Sequence, residues 1–146
     1  MAAEFMRRFP DVRVHVGECQ KRLDFENGAF DRIIVMHVLE HLPNPPAAVR
    51  EMHRLCNRDR GRLHIVIPCE GGLANGLVMR ISAQRIFEQR CRQSYCWFVK
   101  REHMNLPDEI LEVLAPHFTI THRAFFSRVV PVVTLNLCIG ITLKPR

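Results

Sequence analysis

Within one short run, His37, Glu40 and His41 bring two imidazoles and a carboxylate together. An imidazole can move a proton near neutral pH, and a neighbouring carboxylate can orient it. The His-x-x-Glu-His spacing would put both histidines on one zinc if a single helix carried them. The residues before the run argue against a helix. Phe30-Asp31-Arg32-Ile33-Ile34-Val35-Met36 is nearly continuous in apolar and β-branched residues, and Pro43 follows the histidines closely. That pattern predicts a strand buried on both faces of a parallel sheet, with His37, Glu40 and His41 just past its carboxyl end. Ligands of open α/β sheets bind at that rim. A second group lies between Arg80 and Arg101, where Arg80, Arg85, Arg90, Arg92, Lys100 and Arg101 face one acid, Glu88, among Phe87, Tyr95, Trp97 and Phe98. Such a stretch suits a flat or anionic ligand, or the backbone and bases of single-stranded RNA. It is also the composition of a solvated helix face with its aromatics turned inward.

The elements that must position these groups follow from periodicity. Val12–Val16 alternates apolar and polar residues and predicts a strand ending at Gly17, with Glu18 and Cys19 at its carboxyl end. Asn27-Gly28 marks a turn. Asn44-Pro45 predicts a helix start, with Asn as cap and Pro in the first turn. On that helix Val49, Met52, Leu55 and Cys56 share a face, while Arg50, Glu51, His53 and Arg54 point away. Arg62–Pro68 predicts another buried strand. Pro107 opens a helix with Ile110, Leu111 and Leu114 inside and Pro116 at its end. Phe118–Phe126 and Val129–Leu143 predict an antiparallel strand pair. The fold class is α/β, a mostly parallel sheet with a C-terminal antiparallel pair.

The totals bound the rest. At 146 residues the chain is one domain. Residues 1–11 read as a leader, residues 12–146 as the domain, and a basic helical insertion occupies about 73–105. The net charge of +6 favours anionic partners only weakly. The six cysteines form no C-x-x-C pair, which predicts reduced thiols and a cytoplasmic protein. No apolar run approaches the ~18 residues of a membrane span.

FDRIIVMHVLEHLPNP resembles the segment that follows strand four in class I S-adenosylmethionine (SAM)-dependent methyltransferases of the type 11 kind, and the resemblance extends from Val12 to Leu143. It implies a Rossmann-like sheet, SAM as cofactor and a small-molecule acceptor, anionic or aromatic. It implies cofactor contacts at Glu18, Cys19, Met36 and His37. His41 and His103 would lie on the acceptor side, His103 because Glu102-His103-Met104-Asn105 is similar to Glu-His-x-Asn segments of the family. Some quinone-pathway relatives carry Glu-x-x-Glu-His here and bind a divalent metal with it; this chain has His37 at the first position. The same letters also match inverted zinc peptidases, the reading that requires a helix.

The family's glycine-rich turn has no counterpart, because no G-x-G occurs in the chain. The chain thus resembles a methyltransferase without the first third of its fold. The central strand should then have an unpaired edge. Three arrangements could cover it: the Val12–Val16 strand crossing over, a homodimer through that edge, or a second polypeptide. The homodimer is the preferred expectation, together with weak or no SAM binding by the isolated chain. The rival reading is a non-catalytic dimeric remnant or binding module, with RNA as its ligand.

Overall fold

The computed structural model describes residues 7–69, 88–92, 104–126 and 138–146. Strand β1 (Arg32–Met36) leads through a single 3-10 turn (Leu39–His41) into helix α1 (Pro45–Leu55). Strand β2 (Arg62–Pro68), helix α2 (Pro107–Leu114) and strands β3 (Phe118–Phe126) and β4 (Cys138–Pro145) follow. The four strands form one mixed sheet in the order β1-β2-β4-β3, with β1 and β2 parallel and β4 antiparallel to both neighbours.

The α1 boundaries are set locally. The Asn44 side chain accepts the Ala47 amide at 3.2 Å, and Pro45 fills a position where no amide is needed. At the other end, the Asn57 amide donates to the Phe30 carbonyl, which ties the exit of α1 to the entry of β1. The Asn57 side chain then accepts the Asp59 and Arg60 amides, and Gly61 turns the chain into β2.

The sheet has one packed face. Val35, Leu63, Ile65, Ile67, Ile139, Ile141 and Leu143 all point into it, and paired positions such as Val35–Ile65 and Ile65–Ile141 keep the register. Helix α1 covers them with Ala48, Val49 and Met52, and α2 with Ile110 and Leu114; Phe118 completes the core. α2 begins where the Glu109 carboxylate accepts the Leu106 amide at 2.8 Å.

Three expectations need correction. Val12–Val16 is not a strand: it pairs with nothing in the sheet, and Val16 is 85% exposed. Alternation marks a half-buried surface and does not by itself supply a pairing partner. β1 is not buried on both faces, because Ile34 is 68% exposed and Met36 58% exposed. Only the Val35 side is packed, and β1 is an edge strand. Finally, Glu51 does not point away from the core but is 8% exposed.

Glu51 is turned inward by a clamp. Its Oε1 accepts the Leu23 amide at 2.9 Å, and both carboxylate oxygens bind Arg54, at 2.6 and 2.9 Å. Arg54 in turn donates to the carbonyls of Leu23 and Phe25 and to the Asn27 side chain. One helix turn thereby fastens the loop that follows Glu18 and Cys19. The Arg54 guanidinium holds the Glu51 carboxyl below the usual carboxylate range, against the pull of burial and with help from the Leu23 amide. A depressed carboxyl contributes stability above its ordinary value near 4.5, and the contribution is lost as pH falls through the lower folded value. Glu51→Gln should therefore cost stability at neutral pH, about 1–3 kcal/mol for a weakened charged network. The difference from wild type should shrink in acid below the ordinary carboxylate value. Urea unfolding across that range checks both the sign and the window.

Candidate functional site

The site lies where β1 ends. His37 donates its amide to the Val66 carbonyl at 3.1 Å, the last rung of the parallel ladder, and its φ of 51° then swings the chain off the sheet. A left-handed non-glycine residue is uncommon and costs backbone energy, so its neighbours must hold it. The 3-10 turn follows directly, burying Leu39 and Glu40 and leaving His41 partly outside. The zinc-peptidase arrangement does not form, because a strand, a left-handed residue and one short turn replace the continuous helix it needs. Among the described residues no three histidines, cysteines or acids are grouped so as to hold a metal.

Glu40 is the anomaly of the site. It is 2% exposed, and neither carboxylate oxygen has a hydrogen-bond donor among the described residues. The nearest cationic candidates are His37 Nδ1 at 3.3 Å and His41 Nε2 at 3.9 Å, both on Oε1. A buried carboxylate without donors is expensive, so these imidazoles are its natural compensation when protonated.

The backbone of the same turn is held from far along the chain. Asn105 Nδ2 donates to the carbonyls of Leu42 at 2.7 Å, Leu39 at 2.9 Å and Glu40 at 3.4 Å. The amides of Met104 and Asn105 also reach the Glu40 carbonyl, at 2.9 and 3.2 Å. One side-chain amide thus joins the end of β1 to the start of α2. Sequence reasoning missed this role; its signal was the Asn in Glu102-His103-Met104-Asn105. His103 itself lies outside the described residues, as do Arg80, Arg85, Lys100 and Arg101 of the basic stretch. Arg90 and Arg92 fall within the described piece 88–92.

The expected cofactor-side residues divide between two places. Cys19 joins Leu23, Phe25, Ile33 and Ile34 around an apolar cavity of about 390 Å³ beside β1. Its thiol is pushed up by burial and by the Glu18 charge, against a backbone hydrogen bond. Glu18 is next in sequence, yet its carboxylate is exposed and paired with Lys21 at 2.6 Å. Met36 and His37 lie instead at the carboxyl end of β1, both exposed. Behind the turn, Cys138 feels the Glu40 charge, and burial with Cys138 nearby pushes the Cys69 thiol up to about 11. Both shifts disfavour the thiolate, the form that reacts as a nucleophile.

A family model described as a methyltransferase domain matches residues 2–114. The chain belongs to the class I SAM-dependent methyltransferases. The methyltransferase fold is also what solved structures share with it. A protein from Pyrococcus horikoshii is 14% identical with a TM-score of 0.65, the alignment covering 99% of this chain and 65% of that one. A Thermotoga maritima protein described as a SAM-dependent methyltransferase, possible histamine N-methyltransferase, is 17% identical with a TM-score of 0.64, covering 99% and 69%. The N-methyltransferase NodS of Bradyrhizobium japonicum, solved with S-adenosylhomocysteine, is 14% identical with a TM-score of 0.58, covering 99% and 59%. The chain therefore spans between 59% and 69% of the length of those chains. No curated protein matches the sequence.

The cofactor of the family is SAM, and the described residues can be compared with what its two ends require. The apolar cavity beside β1 suits a flat ring such as adenine. The charged amino-acid end needs backbone amides or a free carboxylate, and among the cavity-lining residues the one acid, Glu51, is committed to Arg54 and Leu23. Among the described cavity-lining residues the donor set is incomplete for the whole cofactor.

Proposed function

We propose that this chain is the acceptor-side part of a SAM-dependent methyltransferase for a small, anionic or aromatic acceptor. The observation that carries the reading is the fastening of the His37–His41 turn to Met104 and Asn105, the residues that follow His103 in the sequence, within a chain of the methyltransferase family. SAM brings a methyl group on a sulfonium, so the protein's share is alignment, exclusion of water and removal of a proton. His41 and His103 are our candidates for orienting the acceptor and taking its proton. Met36, His37, Glu18 and Cys19 are the candidates for the cofactor side. Glu40, buried between the two imidazoles of the turn, sets their orientation.

The incomplete donor set leads to the companion proposal that the isolated chain holds the cofactor weakly. Calorimetric titration with S-adenosylhomocysteine should give no saturable heat, and micromolar affinity would overturn it. The open β1 edge supports a homodimer through that edge, in the reducing setting that the free thiols of Cys19, Cys56, Cys69, Cys91 and Cys138 suit. Sedimentation equilibrium of the whole chain decides the dimer. A monomer at all concentrations removes it.

A further inference from the structure

A second cavity, of about 410 Å³, lies at the other end of the parallel strands, where α1 finishes. Arg50, His53 and Arg54 reach it from successive turns of α1, Arg58 from just beyond, and His117 from the exit of α2; Asn27 and Gly28 complete the wall. Residues spaced by three and four fall on one helix face, so the clustering is built into the helix itself. No acid lines the cavity.

Of the five basic side chains, Arg54, Arg58 and His53 have polar partners, and Arg50 has none among the described residues. Arg54 is the back wall, tied to Glu51, Phe25 and Asn27. Arg58 contacts His53 Nε2 and donates to the Arg146 carbonyl at 3.2 Å, which aims its guanidinium across the mouth. Arg50 is exposed and makes no hydrogen bond among the described residues. His53 stacks against His117, with ring centres 5.0 Å apart, and its edge meets Phe118. Burial, and then the Arg58 charge, push the His53 imidazole below its ordinary range, with His117 adding to the effect and the Arg146 backbone opposing it. Guanidinium charges gathered around a concave space with no Asp or Glu in its lining are what an anion relieves.

We propose that this cavity is a binding site for a compact phosphate-bearing anion, independent of the methyl-transfer reading. The shape decides between a compact ligand and a nucleic acid. The basic side chains converge on one half-open depression, whereas a strand of RNA needs a basic track with stacking aromatics along it. Guanidinium groups suit phosphate because two N–H donors can meet two oxygens at once.

The test is an NMR titration of the full chain with inorganic phosphate, pyrophosphate and a short single-stranded RNA, following the His53 and His117 imidazoles. Phosphate or pyrophosphate should give saturable shifts, and the His53 titration should move to higher pH when the anion is bound. Replacing both Arg50 and Arg58 with alanine should weaken binding roughly tenfold or more, as expected for losing charge-assisted contacts. Arg50→Ala alone should weaken it with an unchanged circular dichroism spectrum, since that side chain supports nothing else. Arg123→Ala, on an exposed part of β3, should leave affinity unchanged. No response of His53 to either phosphate would overturn the proposal. So would equal loss in Arg123→Ala, or RNA binding that is tighter than pyrophosphate and grows with RNA length.

Discussion

Gly61→Ala is expected to unfold the protein or reduce it to a poorly packed state. An alanine Cβ at this position would lie 2.1 Å from the Asn57 carbonyl oxygen, 2.7 Å from Cys56 Sγ and 2.9 Å from the Asn57 amide nitrogen. Two of those atoms are backbone, and the Asn57 oxygen already accepts the Gly61 amide at 3.0 Å, so relief requires opening the turn. Opening it would disturb both the Phe30–Asn57 bond at the entry of β1 and the Asp31–Arg62 bond that starts the β1–β2 ladder. Overpacking of this kind costs more than an ordinary substitution, on the order of 3 kcal/mol or more. Against the ~5–15 kcal/mol of a typical domain, that is a large share. Chemical denaturation should show a lower midpoint, or no cooperative transition at all.

Asn105→Asp should be nearly as damaging although it changes one atom. The amide nitrogen that donates to Leu39, Glu40 and Leu42 would become an oxygen facing three carbonyl oxygens. Donors are then lost and a charge is left among acceptors, beside the buried Glu40 carboxylate. The cost should reach about 3–5 kcal/mol, above the ~1–3 kcal/mol of merely unsatisfied groups. Asn105→Ala should fall within that lower range, so the ordering Asp worse than Ala distinguishes hydrogen bonding from side-chain volume. Amide exchange offers a local readout. Protection should be lost first at His41, Leu42, Met104 and Asn105, while the β2–β4 ladder stays protected.

Much of the scaffold was legible because local signals and long-range needs agreed. Arg32–Met36 and Arg62–Pro68 are strands because their apolar runs have a sheet to enter, and Asn44-Pro45 caps α1 wherever the helix docks. Ile110 and Leu114 are buried, as their spacing implies, and Phe118–Phe126 pairs with a strand whose described part begins at Cys138. Val12–Val16 misled because alternation speaks for a half-buried surface and says nothing of a partner. Ile34 and Met36 misled because apolar composition does not reveal which neighbours are present. Around the site, the strand-to-turn placement of His37, Glu40 and His41 could be read from the break after Met36. The Glu51–Arg54 clamp and the Asn105 anchor could not, since each joins residues more than twenty positions apart through polar atoms that periodicity does not see.

The two ends of the sheet are unequal. β3 carries exposed His122 and Arg123 and an irregular step between Ile120 and His122, with Thr121 bonding back to the Thr142 carbonyl. Such charges and bulges discourage a further strand. β1 has regular geometry and two bare apolar side chains. Growth by strand addition is therefore one-sided. In the proposed homodimer, with two copies meeting through the smooth rim about a twofold axis, both outer rims would be the charged, kinked kind, and assembly would stop at a pair instead of running on into a fibre.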